Sequence, residues 1–115
     1  MQVIHWLSAG ALLASVGTAP VVAQETLVAP GPQGDLAGTL VAPAEGQPLV
    51  LIIPGSGPTD RDGNSPLGVT AAPYRLLADA LAERGIGTLR IDKRGMFASK
   101  AAVADANAVT IADYV

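Results

Sequence analysis

The sequence contains no cysteine and a single histidine, His5. Without cysteine, the chain can form no disulfide and offers no thiolate as a nucleophile or metal ligand. Because imidazole is the usual general base of a nucleophilic triad, the residues after His5 cannot supply that base. No other pattern of metal ligands or cofactor contacts occurs, so we predict neither a metal nor a cofactor.

Positive charge and aromatic side chains are also scarce. The chain has 7 Lys and Arg against 10 Asp and Glu, a net charge of −3, and 3% aromatic residues. The basic residues are scattered, so no stripe of them could neutralise a phosphate backbone, which argues against nucleic-acid binding. With 115 residues, half of them hydrophobic, the chain can form one small domain with an aliphatic core.

No charged side chain precedes Glu25. Leu7–Gly17 is an apolar run of signal-peptide length, and the residues up to Ala23 fit a cleavage site. We predict that residues 1–23 are a signal peptide, which places residues 24–115 in the periplasm or outside the cell without stable membrane association. The alternative is an uncleaved membrane anchor, because the apolar stretch approaches the roughly 20 residues that span a bilayer.

The next segment predicts an antiparallel hairpin. Two short β-like runs, Thr26–Ala29 and Leu36–Ala42, flank the turn cluster Pro30–Asp35. We expect these to be edge strands that carry no chemistry.

The chain is organised around the stretch Leu49–Asn64. Its apolar run has no alternation and ends at Pro54, which predicts a strand buried on both faces, as in a parallel sheet covered by helices. Gly55–Gly57 then allows a sharp turn whose amides no large side chain covers. Because open α/β sheets bind ligands at the carboxyl ends of parallel strands, we expect the functional site here.

The polar loop Pro58–Pro66 fits no nucleotide or calcium motif. No lysine follows Gly63 as a P-loop requires, and Asp60 stands where a dinucleotide fingerprint has its third glycine. Ala71 replaces the twelfth-position glutamate of a calcium loop. We expect the Asp and Asn side chains to fold back on their own backbone, the functional alternative being that the loop walls a substrate cleft.

A βαβ unit follows. Thr70–Arg84 predicts a helix with Pro73 in its first turn. The predicted buried face consists of Tyr74, Leu77, Ala78, Leu81 and Ala82. Ile86–Ile91 predicts a second strand, parallel to the first and beside it. At its carboxyl end, Asp92 and Arg94 either form an ion-pair network on the cleft floor or are ordinary loop charges.

The strings PGSGPTDRDGN and TLRIDKRG, with a helix between them, resemble the amino-terminal part of the α/β-hydrolase superfamily. The nearest resemblance is to esterases related to dienelactone hydrolases and serine aminopeptidases, and it covers Leu36 to Val115. It implies a partial α/β-hydrolase fold, in which the hairpin and the βαβ unit belong to a mostly parallel sheet that is truncated before the nucleophile elbow. A helix start at Thr110–Asp113, close to the last residue, also indicates a fragment.

The resemblance also implies roles for individual residues. In this family a backbone N–H after the strand that precedes the first helix forms half of the oxyanion hole, which assigns the Ser56 amide as donor. The D-x-R-G-x-G-x-S motif of the family matches at Asp92, Arg94, Gly95 and Ser99, with Phe97 at the second glycine. The implied cleft residues are Gly55, Gly57, Asp60, Asp92 and Arg94.

The triad itself is missing. No G-x-S-x-G nucleophile elbow occurs, and His5 would leave with the signal peptide. The intact protein would hydrolyse a small-molecule carboxylic ester, or an amide, through an acyl-enzyme, with its nucleophile, acid and base beyond Val115. The alternative is a non-enzymatic secreted α/β module that binds a small anion or a partner at Gly55–Gly57. No feature indicates an oligomeric state.

Overall fold

The structure, a computed structural model, describes residues 22–105 and 107–114. The predicted signal peptide therefore lies outside the described residues, apart from Val22 and Ala23. In the described part of the chain, no helix is long and apolar enough to cross a bilayer.

Four strands form a mixed sheet in the order β1-β2-β4-β3. Their bounds are Gln24–Ala29 for β1, Leu36–Val41 for β2, Leu49–Ile52 for β3 and Gly87–Ile91 for β4. Strand β2 is antiparallel to both β1 and β4, whereas β3 is parallel to β4. The predicted hairpin is confirmed, but β2 is an interior strand rather than an edge strand.

The described sheet is mixed, with two antiparallel pairings and one parallel pairing, and the mostly parallel sheet of a larger fold stays a prediction. The length of the connections accounts for the β1–β2 and β3–β4 pairings. A parallel pair needs a crossover of about a dozen or more residues, while the short turn between β1 and β2 can join only antiparallel neighbours. Among these strands, the β3–β4 connection is the one that contains a helix.

That helix, α1, spans Pro73–Ala82 and confirms the predicted βαβ unit, although it is shorter than Thr70–Arg84. It begins at Pro73 because Ala72 takes a left-handed conformation, with φ 48° and ψ 50°, and the residue before a proline disfavours the helical region. Gly85, at φ 75°, follows its carboxyl end.

Strand β3 is not buried on both faces, contrary to the prediction. Leu49, Leu51 and Ile53 are 51%, 53% and 66% exposed, and Ile52 is the buried residue of the strand. The physical reason is that these three alternate residues share one face of the strand, and among the described elements only β4 packs extensively against β3. No described helix therefore covers that face.

The predicted buried face of α1 is also only partly correct. Ala78 is buried, whereas Tyr74, Leu81 and Ala82 are half-buried and Leu77 is exposed. The helix packs mainly on β4 and leaves the side toward β3 open. Apart from Pro54 and several glycines, the buried residues of the described part combine apolar side chains with polar ones: Val41, Ile52, Ala72, Ala78 and Ala102, with Thr88, Arg90, Asp92 and Ser99. Strand β4 and the residues that follow it are therefore the centre of the fold.

Two short 3₁₀ helices complete the described chain, at Phe97–Ala102 and Ile111–Tyr114. The second begins directly after Thr110, at the predicted helix start.

Candidate functional site

A cavity of about 650 Å³ opens at the carboxyl ends of β3 and β4. Leu36, Ile53, Pro54, Ile91 and Met96 form apolar walls, and Gly55, Ser56, Gly57, Lys93 and Arg94 complete the lining. This is the edge at which the sequence places the functional site, because the carboxyl ends of parallel strands meet there. The cavity thus joins an aliphatic surface to a backbone turn and two cationic side chains.

The residues Gly55–Gly57, here called the glycine turn, leave a backbone amide uncovered. Gly57 takes φ +82°, and a Cβ built on Gly55 or Gly57 would meet no atom within 4 Å. Within the described residues, the Ser56 amide donates no hydrogen bond. It lies outside the regular pairing of the sheet, and Ser56 is one of the residues that line the cavity.

Lys93 is the site residue that the sequence reasoning missed. Its Nζ donates hydrogen bonds to the carbonyl oxygens of Gly55 and Gly57, and burial lowers the pKa of Lys93 from its ordinary value of 10.5. The sequence did contain a signal for this residue, namely its position after a strand. A lysine follows the second parallel strand at the edge where the glycine turn follows the first, and its long side chain can span the gap.

Asp92 is almost fully buried and does not line the cavity. Its Oδ1 accepts a hydrogen bond from the Arg61 amide at 2.8 Å, and its Oδ2 accepts one from the Ala98 amide at 3.2 Å. The Arg61 Nε lies 3.9 Å from the same Oδ2. Asp92 therefore pairs with Arg61 rather than in a network with Arg94 on the cleft floor, and this pair ties the loop after β3 to the chain after β4.

Arg94 lines the cavity and also hydrogen-bonds to a later part of the chain. The Arg94 Nη1 donates to the carbonyl oxygen of Ala102 at 2.9 Å, at the end of the first 3₁₀ helix. Of the two charges predicted at the end of β4, the structure thus places Arg94 at the cavity and Asp92 beneath the adjoining loop.

Asp60 closes its own loop, as the simpler interpretation of Pro58–Pro66 expected, and does not line the cavity. Its Oδ1 accepts from the amides of Asp62 and Asn64 at 2.9 and 2.8 Å. The closed loop then supports α1, because the Asp62 carbonyl accepts from the Tyr74 amide at 3.0 Å. First-turn amides have no partner inside their own helix, so this loop supplies one.

The motif residues Phe97 and Ser99 have structural explanations. Phe97 takes φ +47°, a left-handed conformation that glycine adopts more easily, at the position where the family motif has its second glycine. Ser99 is fully buried, donates to the Asp92 carbonyl at 2.9 Å and accepts from the Ala37 amide at 2.9 Å. It joins the end of β4 to β2.

The site has no evident metal ligands. Within residues 22–105 and 107–114, no group of three or more His, Cys, Asp or Glu side chains could hold a metal ion.

No protein-family model and no curated protein matches the sequence. Among solved structures, the chain is similar to a protein from Agrobacterium vitis S4 that carries the name of a hydrolase. The two are 21% identical with a TM-score of 0.48, over 69% of this chain and 28% of the other. At that level the likeness carries no argument about this chain.

Proposed function

We propose that the chain is the front part of an exported serine hydrolase of the α/β-hydrolase kind, one that cleaves small carboxylic esters, or amides, through an acyl-enzyme. The observation that carries the proposal is the Ser56 amide, which lacks an intramolecular acceptor among the described residues and sits in a turn at the wall of the cavity. Export rests on the apolar segment before Glu25 and its cleavage-like end.

The position of the glycine turn in the fold supports this proposal. In α/β-hydrolases, one N–H of the oxyanion hole comes from the loop between the third strand and the first helix. Here the glycine turn lies between β3 and α1. The Ser56 N–H would stabilise the negative oxygen of a tetrahedral intermediate, and removal of one such donor typically raises the barrier by about 2.7–4 kcal/mol.

The exposed outer side of β3 supports the idea that further strands complete the sheet. A strand edge with exposed apolar side chains is a template for pairing with another segment. A strand added beside β3 would end near the cavity and could bring a nucleophile elbow to the Ser56 amide. In this proposal the nucleophile, acid and base come from outside the 115 residues.

The second candidate is a binding module without catalysis. It is favoured by Lys93 and Arg94, whose positive charges line the cavity beside the glycine turn. Such a module would bind a small anion and catalyse nothing.

The deciding experiment is to read the gene past Val115 and to assay its full product with short-chain nitrophenyl esters. We expect a G-x-S-x-G, a late histidine and ester hydrolysis, and no hydrolysis by the 115-residue chain alone. A full product that binds butyrate but cleaves no ester would favour the binding module. Hydrolysis by the 115-residue chain would contradict the assignment of the triad to other residues.

A further inference from the structure

Lys93 makes the side-chain hydrogen bonds that hold the glycine turn. Its Nζ donates to the carbonyl oxygens of Gly55 and Gly57, which lie 38 and 36 residues earlier in the chain. The Gly57 oxygen also accepts from the Thr59 amide at 2.9 Å, within the same loop. In the part of the chain that the structure describes, no other side chain hydrogen-bonds to the turn. Lys93 therefore anchors it to the end of β4.

The bond to the Gly55 oxygen also sets the direction of the Ser56 amide. The two groups belong to one peptide unit, and the described chain has no cis peptide bond. A planar trans unit directs its N–H opposite to its C=O. The Gly57 oxygen shares its unit with Pro58, which has no amide hydrogen. The N–H that this lysine orients is thus the one on Ser56.

Little else restrains that peptide unit. Glycine has no Cβ and populates both signs of φ, so the unit after Gly55 can rotate easily. A Cβ on Gly55 would meet no atom within 4 Å, which shows that packing does not hold the turn there. A hydrogen bond from an ionised donor is about twice as strong as one between neutral groups. The ammonium therefore takes the place of packing as the restraint.

We propose that Lys93 is a positioning residue, whose ammonium holds the Ser56 N–H in the direction that meets a carbonyl or carboxylate oxygen in the cavity. The identity of that oxygen rests on the proposed function, whereas the clamp itself belongs to these 115 residues. Lys93 acts through the Gly55–Ser56 peptide unit and needs no contact with the ligand.

The clamp is tested in the ¹³C,¹⁵N-labelled 115-residue chain by NMR. K93M removes the ammonium, K93R keeps a positive charge, and K100M removes the charge of the other lysine, which is exposed and does not line the cavity. We expect the carbonyl ¹³C resonances of Gly55 and Gly57 and the amide resonance of Ser56 to move in K93M, less in K93R, and not in K100M. Unchanged amide resonances in β4 verify folding. Equal effects of K93M and K100M would overturn the clamp.

Two probes separate positioning from attraction by charge. Sodium butyrate is an anion, and butyramide is neutral but offers the same kind of acceptor oxygen. We expect both to shift the Ser56 amide, and K93M to weaken both by about tenfold, the effect of one misdirected hydrogen bond. If K93M weakened only butyrate binding, Lys93 would act as a charge and the positioning role would be overturned. If the wild-type chain bound neither probe, the proposed function would fall, while the carbonyl shifts would still decide the clamp.

Discussion

Gly57 takes φ +82°, and a side chain added there would meet no atom within 4 Å. A larger residue at this position therefore acts through backbone strain and not through crowding. A non-glycine residue in this conformation costs roughly 1–3 kcal/mol, more for a β-branched one. The turn would relax and turn its amide away from the cavity.

If the full gene product is the proposed hydrolase, we expect Gly57→Val to lower its turnover by about 10²-fold or more, the effect of one lost oxyanion donor. Gly46→Val is the matched control, because Gly46 has φ +73° and equally open surroundings but lies outside the cavity lining. Both variants should lose similar unfolding free energy. Equal turnover in the two variants, measured with a nitrophenyl ester, would remove the glycine turn from the mechanism.

The pKa of Lys93 gives a second expectation for a single residue. Burial lowers this pKa from 10.5, so as pH rises the folded chain loses the proton before the unfolded chain does. Between the two pKa values the unfolded state binds more protons, so the free energy of unfolding should rise with pH in that window. Below the folded-state pKa this group should make no pH-dependent contribution. A ¹³C titration of the two lysines, with K93M for assignment, measures it directly. A midpoint for Lys93 at or above 10.5 would contradict the expectation.

At the scale of elements, β4 is held by a buried charge. The Arg90 side chain is 1% exposed and pairs with Asp62, whose side chain is 35% exposed. The Arg90 Nη2 also donates to the Gln24 Oε1 at 3.1 Å. One guanidinium thus connects β4 with β1 and with the loop that supports α1. A buried charge that loses its partner is costly, whereas an apolar replacement of similar volume often costs little.

The two partners of this pair should therefore respond differently to substitution. We expect Asp62→Asn to lower the unfolding free energy by about 3 kcal/mol or more, because it leaves Arg90 buried without a counter-charge. Arg90→Met should cost less, about 1–2 kcal/mol, because the remaining carboxylate is partly in water. Urea denaturation of the 115-residue chain gives both values. The reverse order would show that Asp62, and not Arg90, bears the desolvation cost.

For the whole molecule, local signals predicted the hairpin, α1, β4 and the place of the glycine turn. Turn clusters, a proline in the first helical turn and apolar spacing act within a few residues, so a sequence displays them. The exposure of β3 could not be read in this way, because burial depends on neighbouring segments and not on composition. The reach of Lys93 to Gly55 was equally hidden, since it joins two loops whose distance apart only the folded sheet sets.

The exposed edge of β3 has a consequence for the behaviour of the 115-residue chain in solution. We expect the chain to self-associate as concentration rises, because an apolar edge strand pairs readily with a second copy. Leu51→Lys should suppress association and change the unfolding free energy by no more than about 0.5 kcal/mol, as Leu51 is 53% exposed. Ile52→Lys, at the neighbouring buried position, should unfold the chain. Analytical ultracentrifugation decides, and a wild-type chain that stays monomeric at every concentration would contradict the expectation.

Three consecutive side chains at the end of β4 reach three separate parts of the molecule. Asp92 holds the backbone of Arg61, Lys93 holds the glycine turn, and Arg94 holds the carbonyl of Ala102. A ligand that restrains the glycine turn would therefore also restrain the backbone of residues 92–94. The same backbone anchors the loop that supports α1 and the first 3₁₀ helix. A ligand bound in the cavity should therefore raise the Tm of the whole chain, and the Tm measured with and without a ligand would report whether the cavity is occupied.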